Sequence, residues 1–524
     1  MIETYARCVK PVLPLWAAVI VAAAAGPVMD AGFPDRYLWP LALVGVALVL
    51  VTLIGRRVGS AILVGFVAGL TFYLTHIEWA SLFLGPLPMT ALAALEALFF
   101  AAGAAAIALA YRWVPIAFPS VAGRLGLLPM VIAGLWTARE AWASVWPYGG
   151  FAWGRIGLSQ SDGPLAPLYS WIGISGMTFV IVFLTALSVQ AVRVSGLPRL
   201  SRIAAPVGVA AALLVFPAFP VTESGSMTVA AVQGNGKAGY FDGSSADDLL
   251  QAQFAATEPL FGDDVDVVVW PEGTTYRDPL KDPYTTSVFE YVSEQMDAPL
   301  IAQGVSERDG SFYNTAILWQ AGEGALDFYD KKHPVPFGEY VPDRAFWRPF
   351  APDLIDLIQR DYTPGSTDNV FNVGGVLAGI NICFDIVDDQ ILTEAVEQGA
   401  QVIFASSNNA DFGRTDESVQ QLAIARVRAM ELGRTVVNIS TVGTSAIIAP
   451  DGSTIAQLPW YQAGAMVESV PLSTAITPAV FAGRQIEWLV SGLGLAGLII
   501  AGLAARASRA SRPEHAGSPT TVTR

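Results

Sequence analysis

Long apolar runs separated by short arginine-bearing stretches fill the N-terminal part of the chain. They lie at Pro11–Met29, Leu38–Gly55, Ala61–Phe83, Thr90–Tyr111, Leu125–Trp146, Ala166–Val192 and Ile203–Phe219, and one more, Trp488–Ala504, follows a long polar interval. Each approaches the roughly 17–25 residues a helix needs to cross a bilayer, so the pattern predicts eight spans. The first run starts behind Arg7 and Lys10, as a signal peptide does. Six spans follow it directly, so it reads as a retained helix. Basic residues in the short connections orient the bundle. Arg7, Lys10, Arg56, Arg57, Arg112, Arg124, Arg193, Arg199, Arg202, Arg506, Arg509 and Arg512 all fall on one side, with Arg36 and Arg155 as exceptions. Both termini are therefore expected in the cytoplasm and the polar interval outside.

Within that interval, Thr222–Val480, the period changes. Short β-rich runs at Met227–Gln233, Val265–Trp270, Pro299–Gln303, Thr315–Trp319, Val376–Ile382, Gln401–Ala405 and Thr435–Ile439 alternate with helical stretches such as Ser418–Leu432, which Gly433 caps. This predicts a mixed α/β domain. The expected division is residues 1–221 for seven membrane helices, 222–480 for the outer domain, 481–505 for the eighth span and 506–524 for a disordered cytoplasmic tail.

Composition agrees. Hydrophobic residues make up 53% and charged residues 14%, and mean hydropathy is +0.47; soluble domains carry about a quarter charged residues. The net charge of -15 gathers between Glu223 and Glu468, which argues against a nucleic-acid partner. Cys8 and Cys383, the two cysteines, fall on opposite sides of the membrane, so no disulfide framework is expected. His76, His333 and His515 are too scattered to complete a zinc site, and no cofactor is expected.

Three places in the outer domain carry chemistry. Val267–Val269 runs into Trp270-Pro271-Glu272, placing a carboxylate at the C-terminal end of a strand, where open α/β sheets bind ligands. The stretch Tyr329–Glu339 holds Lys331 and Lys332 ahead of a turn stiffened by Pro334 and Pro336. Gly379–Ile382 delivers Cys383, followed by Phe384, Asp385, Asp388, Asp389 and a helix starting near Gln390. A helix N-terminus and nearby cations lower a thiol pKa, so a reactive thiolate is expected. Singly, a strand-end Glu or a buried Cys is common and usually inert.

Together, Glu, Lys and Cys in this order, each after a strand-like run, resemble the nitrilase superfamily, whose fold is an α-β-β-α sandwich. The resemblance implies Glu272 as general base, Cys383 as nucleophile, and Lys331 with the Phe384 backbone N–H as oxyanion stabilisers, supported by Glu339. Over nearly its whole length the chain further resembles the apolipoprotein N-acyltransferase family. The matching segments are Val232–Asn235, Trp270–Glu272, Tyr329–Glu339, Ile382-Cys383, Trp153 with Gly157–Gln160 and Asp162–Leu165, and Ala423–Gly433. That likeness implies a monomeric enzyme of the bacterial cytoplasmic membrane. Cys383 would take an acyl chain from a phospholipid and pass it to the α-amine of a diacylglyceryl-cysteine lipoprotein.

Some positions depart from the family pattern. Asp385 stands where Glu is usual, Asp411 stands where an aromatic usually precedes Phe412-Gly413, and Tyr240 and Phe241 replace a tryptophan. Trp153 and the segments around Tyr240, Phe241, Asp411 and Phe412 are expected to meet lipid. Glu96, inside the fourth span, is a functional candidate or a helix-pinning hydrogen bond. Arg139 and Glu140 are placed to meet head groups or each other. A membrane-tethered amidase or hydrolase, and a non-enzymatic scaffold, are the alternative readings.

Overall fold

A computed structural model describes residues 10–194, 198–242 and 246–510. Cys8, Arg7, Arg512 and the rest of the tail lie outside the described residues. Seven long helices open the described chain: α1 Leu15–Asp30, α2 Pro40–Leu53, α3 Val58–His76, α4 Pro86–Ala117, α5 Leu128–Ala143, α6 Tyr169–Arg193 and α7 Arg199–Leu214, with a single short turn of helix at Ser81–Leu84. Among the described residues twelve strands follow, with four longer helices and two short ones, Arg344–Trp347 and Pro352–Ile355, among them. The strands are β1 Glu223–Gln233, β2 Val267–Val269, β3 Leu300–Arg308, β4 Ser311–Gln320, β5 Gly324–Asp330, β6 Val370–Val373, β7 Val376–Ile382, β8 Val402–Ser407, β9 Thr435–Ser440, β10 Ser445–Ile448, β11 Thr454–Leu458 and β12 Gly464–Ser473. The helices are α8 Ala246–Thr257, α9 Pro283–Met296, α10 Asp389–Glu397 and α11 Asp416–Leu432, and α12, Pro478–Ala510, closes the described chain.

A helix thus lies on every apolar run. By length and composition, four helical segments among the described residues can cross a membrane: Val58–His76, Pro86–Ala117, Ala166–Arg193 and Pro478–Ser508. The last is longer than its apolar run at both ends. Arg484 and Glu487 interrupt the hydropathy, but Ser175 on α6 donates to Glu487 Oε2 at 2.6 Å, so the helix starts ten residues earlier and continues into the expected tail. Small residues let the helices touch backbone to backbone. A Cβ on Gly134 of α5 would lie 2.4 Å from the Val490 carbonyl of α12.

The two ends of the bundle differ. At one, Arg56 donates to the Leu13 carbonyl (3.0 Å) and Arg112 to the Arg56 carbonyl (3.0 Å). At the other, His76 pairs with Asp30 at 3.0 Å, and the His76 carbonyl accepts from Gln420 of the α/β domain at 3.2 Å. Glu96 is buried between helices, close to Tyr73 and Arg139. Arg139 pairs with Glu140 at 3.1 Å, and both are buried, so these two meet each other rather than head groups.

The α/β domain is two six-stranded sheets, ordered β12-β1-β2-β3-β4-β5 and β6-β7-β8-β9-β10-β11. Both run antiparallel, parallel, parallel, antiparallel, antiparallel in that order, so the halves repeat one plan. Alternating side chains divide the apolar residues between layers. Val229, Val267, Ile301, Ile380, Phe404 and Val437 fill the space between the sheets, and Phe289, Val292 and Trp270 pack α9 onto the outer face of the first. On the second sheet, Leu392 and Val396 of α10 and Leu422, Ile424 and Val427 of α11 belong to the same continuous core as the membrane helices. Helix α11 is accordingly buried on nearly all sides and ends where Gly433 turns left-handed at φ +63°. The α-β-β-α sandwich therefore rests one helical layer directly on the bundle.

Candidate active site

The parallel strands β2 and β7 end at the same rim, and each delivers a functional side chain there. Beyond β2, Trp270 is fully buried and Glu272 turns into the cleft. Its Oε1 accepts from Asn314 Nδ2 at 2.8 Å and its Oε2 from the Asn408 N–H at 2.9 Å. Lys331 follows β5 directly, and its N–H bonds the Asn314 carbonyl at 2.9 Å. Its side chain is 1% exposed, with Nζ donating to Glu339 Oε2 at 2.7 Å. Glu339 Oε2 also accepts the Val335 N–H (2.7 Å), and its Oε1 accepts Asn314 Nδ2 (2.8 Å). Asn314 on β4 therefore bridges both carboxylates through its side-chain Nδ2 and sets the lysine through its backbone carbonyl. The loop after Lys331 is held by more than its prolines: Lys332 pairs with Glu394 at 3.3 Å and His333 with Asp388 at 2.9 Å.

Cys383 sits at the end of β7 with φ +51°, a left-handed conformation that costs a non-glycine residue about 1–2 kcal/mol. Its carbonyl accepts from Gln421 Nε2 of α11 at 3.3 Å. Glu272, Lys331 and Cys383 thus share one buried site, with the carboxylate and the ammonium both acting on the thiol. Burial pushes the Cys383 thiol well up, the Glu272 carboxylate adds to this, and Lys331 only partly offsets it. The expectation of a thiolate favoured by a helix N-terminus is therefore corrected. A 3₁₀ turn, Cys383–Val387, separates the sulfur from α10, whose first N–H groups bond Asp388 (2.7 and 2.9 Å). At rest the sulfur is therefore a neutral thiol beside the Glu272 carboxyl. Burial likewise raises the Glu272 carboxyl, with Glu339 adding and Lys331 and Asn314 opposing. Burial alone would lower Lys331, but Glu339, Cys383, Glu272 and Asp385 raise it, so the ammonium stays charged.

The remaining predicted residues separate into two groups. Asp385 is buried behind Cys383 and accepts from the Tyr329 hydroxyl at 3.1 Å and the Ile382 N–H at 3.4 Å; burial pushes it up to about 7. It supports the turn from behind. The Phe384 ring stacks on Trp153 (5.9 Å, 5°) and Phe151 (5.9 Å, 17°). Trp153 is buried, donating to Gln420 Oε1 at 2.7 Å, so it joins bundle to domain and is not a lipid-facing loop residue. Tyr240 and Phe241 are 42% and 53% exposed and pack on Phe83 from the bundle segment (5.9 and 5.8 Å). Asp411 accepts the Tyr240 N–H at 2.6 Å, with burial pushing its carboxyl up to about 6, and Phe412 packs edge-on to Trp79 at 4.9 Å. Asn408 joins this segment to Glu272, since its N–H bonds the carboxylate and its Nδ2 bonds the Ala238 carbonyl at 2.8 Å.

Asn314, Asn408 and Gln421 escape sequence reasoning. Each is one polar residue in an ordinary strand, loop or helix, and only the fold reveals what it faces. Behind the site, Glu417 accepts from Asn409 at 2.8 Å and is pushed up to about 8 by burial. Among the described residues no group of three or more His, Cys, Asp or Glu could hold a metal ion.

Comparison with known proteins matches both parts of this architecture. Residues 25–187 match the apolipoprotein N-acyltransferase N-terminal domain and residues 228–477 the carbon-nitrogen hydrolase family. An apolipoprotein N-acyltransferase of Mycolicibacterium smegmatis is 32% identical, over 94% of this chain and 86% of that protein. One from Azotobacter vinelandii is 29% identical over 95% and 97%. Among solved structures, a CN-hydrolase superfamily protein from Xanthomonas campestris aligns with 51% of this chain and 96% of its own at 17% identity and a TM-score of 0.37. With both parts matched in one chain and a relative 32% identical over 94% of it, the protein belongs to the apolipoprotein N-acyltransferase family.

Proposed function

We propose that the chain N-acylates lipoproteins in the bacterial cytoplasmic membrane, using Cys383 as a transient acyl carrier. Glu272 takes the thiol proton as sulfur attacks the ester carbonyl of a phospholipid. Lys331 and the Phe384 N–H hold the oxyanion, and Glu272 returns the proton to the departing glycerol oxygen, leaving a thioester and a lysophospholipid. The α-amine of a diacylglyceryl-cysteine lipoprotein then attacks the thioester and loses a proton to Glu272, which passes it to the leaving sulfur. Glu339 keeps Lys331 charged and placed. A neutral resting thiol suits this cycle, because proton removal is coupled to attack and the sulfur does not wait exposed as an ion.

The observation that carries this reading is the convergence of Glu272, Lys331, Glu339 and Cys383 on a turn stacked, through Phe384, against Trp153 of the bundle. A lipid-handling site has reason to sit on membrane helices. We place all eight helices across the bilayer with both termini cytoplasmic and the catalytic domain outside. Arg56 and Arg112 at the end of the bundle away from that domain support this orientation. The working unit is taken as a monomer. Incubation with a phospholipid carrying a radiolabelled acyl chain tests the carrier: a hydroxylamine-sensitive adduct forms on the wild type and not on Cys383→Ala. Activity without any such adduct refutes it.

A further inference from the structure

Arg155 breaks the basic-residue pattern of the short connections, and its surroundings give the reason. The side chain is 4% exposed, and its two terminal nitrogens grip Asp389 at 2.6 and 2.8 Å. Asp389 begins α10, just beyond the turn that carries Cys383. A second guanidinium, Arg428 of α11, is 1% exposed and bonds the other side of the turn: Nε to the Ile386 carbonyl (2.9 Å), and Nη2 to the Val387 carbonyl (2.9 Å) and to Asp389 Oδ1 (2.6 Å). Arg155 Nη2 also reaches the Val387 carbonyl at 3.3 Å. Arg428 Nη1 continues to Glu431 Oε2 (2.5 Å), whose Oε1 accepts the Ile174 N–H of α6 at 3.2 Å. That N–H is available because α6 breaks its helical course at Gly173, φ +63°, where a Cβ would come within 2.7 Å of Glu431 Oε1.

Two cations and two carboxylates thus run unbroken from the bundle to the catalytic turn. Asp389 is itself 47% exposed, but both guanidiniums are buried, and an apolar contact would join the two parts without their desolvation cost. What they add is direction. A guanidinium fork fixes carbonyl and carboxylate positions that packing leaves free to slide. The turn needs fixing, because Cys383 is held left-handed and its thiol must meet both Glu272 and Lys331. Gln421, two helical turns before Arg428, holds the Cys383 carbonyl, so one face of α11 tracks the turn from end to end.

We propose that Arg155, Asp389, Arg428 and Glu431 are positioning residues: a charged brace that sets the Cys383 turn against the membrane bundle and so aims the thiol at its base and its oxyanion site. The inference rests on the acyl-carrier reading above, and its test separates the two. The purified full-length protein in detergent is mixed with p-nitrophenyl acetate, a small acyl donor needing no lipid binding, and the burst of p-nitrophenolate is followed. Burst amplitude counts intact sites, while its rate constant reports how well the thiol is aimed. Arg155→Ala and Asp389→Asn are expected to keep the amplitude and slow the burst at least about tenfold, with Arg155→Lys in between, because it restores the charge without the fork. The double variant Arg155→Ala/Asp389→Asn is expected to be no slower than either single one. Unchanged rate constants, or a lost amplitude with an unchanged rate in all three single variants, overturn the brace as a positioning device. A normal wild-type burst without any adduct from phospholipid removes the lipid reading alone. A wild type without a burst removes both.

Discussion

Replacing Asn314 with leucine is the sharpest available perturbation of the site, because it deletes one amide of nearly the same shape and no charge. Asn314 Nδ2 serves Glu272 and Glu339 together, at 2.8 Å each. A hydrogen bond to a charged group contributes about 1.5–3 kcal/mol. If only the Glu272 bond matters to proton removal, acylation of Cys383 slows at least about tenfold; if both matter, the loss approaches about 10⁴-fold. The direction of the pH effect is also fixed. Asn314 lowers the Glu272 carboxyl against the burial that raises it, so its removal raises that group further and keeps the base protonated to higher pH. Single-turnover acylation across pH reads both quantities. The acid limb in Asn314→Leu should move to higher pH and the plateau should fall. A plateau within about threefold of wild type and an unmoved limb would refute the assignment of Glu272 as the base and of Asn314 as its support.

Other expectations follow from the same geometry. Glu339→Gln leaves the buried Lys331 ammonium without its nearest anion, at a cost of about 3 kcal/mol, and thermal unfolding of the purified protein should show the loss. Gly365→Ala should abolish acylation while leaving membrane insertion intact, since its Cβ would fall 2.0 Å from the Asp330 carbonyl, immediately before Lys331; pulse labelling and membrane extraction separate the two. Glu417→Gln should match wild type in stability below the ordinary carboxylate range. With the folded carboxyl pushed up to about 8, the unfolded chain ionises first as pH rises, so wild type loses stability relative to the variant between about pH 4.5 and 8, by at most about 5 kcal/mol. Unfolding midpoints that stay parallel across that range would show that Glu417 is not held neutral.

Much of this was legible in the sequence, and the failures share a cause. All the strands read from the sequence are interior to a sheet, where burial on both faces gives an apolar run: β1, β2, β3 and β4 of the first sheet and β7, β8 and β9 of the second. The strands missed include all four edges, β12, β5, β6 and β11, together with the short β10. Edge strands mix exposed and buried positions and carry charges or proline, as Asp327 and Pro471 illustrate, so their pattern blurs into loop. One of them, β5, leads directly into Lys331, so its pattern does not mark where the strand that carries the lysine begins. Helix α11 with its Gly433 cap was readable because its apolar period and stop signal are both local. The roles of Asn314 and Arg155 were not. A lone amide in a strand and an arginine in a loop acquire meaning only when the fold shows which carboxylates face them. The thiol was misjudged because sequence shows the helix that follows Cys383 but not the burial that outweighs it.

The central claim is that Glu272, Lys331 and Cys383 act as one acyl-transferring unit on lipoproteins. Mass spectrometry of lipoprotein N-termini, from cells in which this chain is the sole source of the activity, tests it most directly. The account predicts triacylated N-termini with the wild type, and diacylated N-termini with a free α-amine when Glu272→Ala, Lys331→Ala or Cys383→Ala replaces it. Triacylated lipoprotein at wild-type levels from any of the three variants would contradict it.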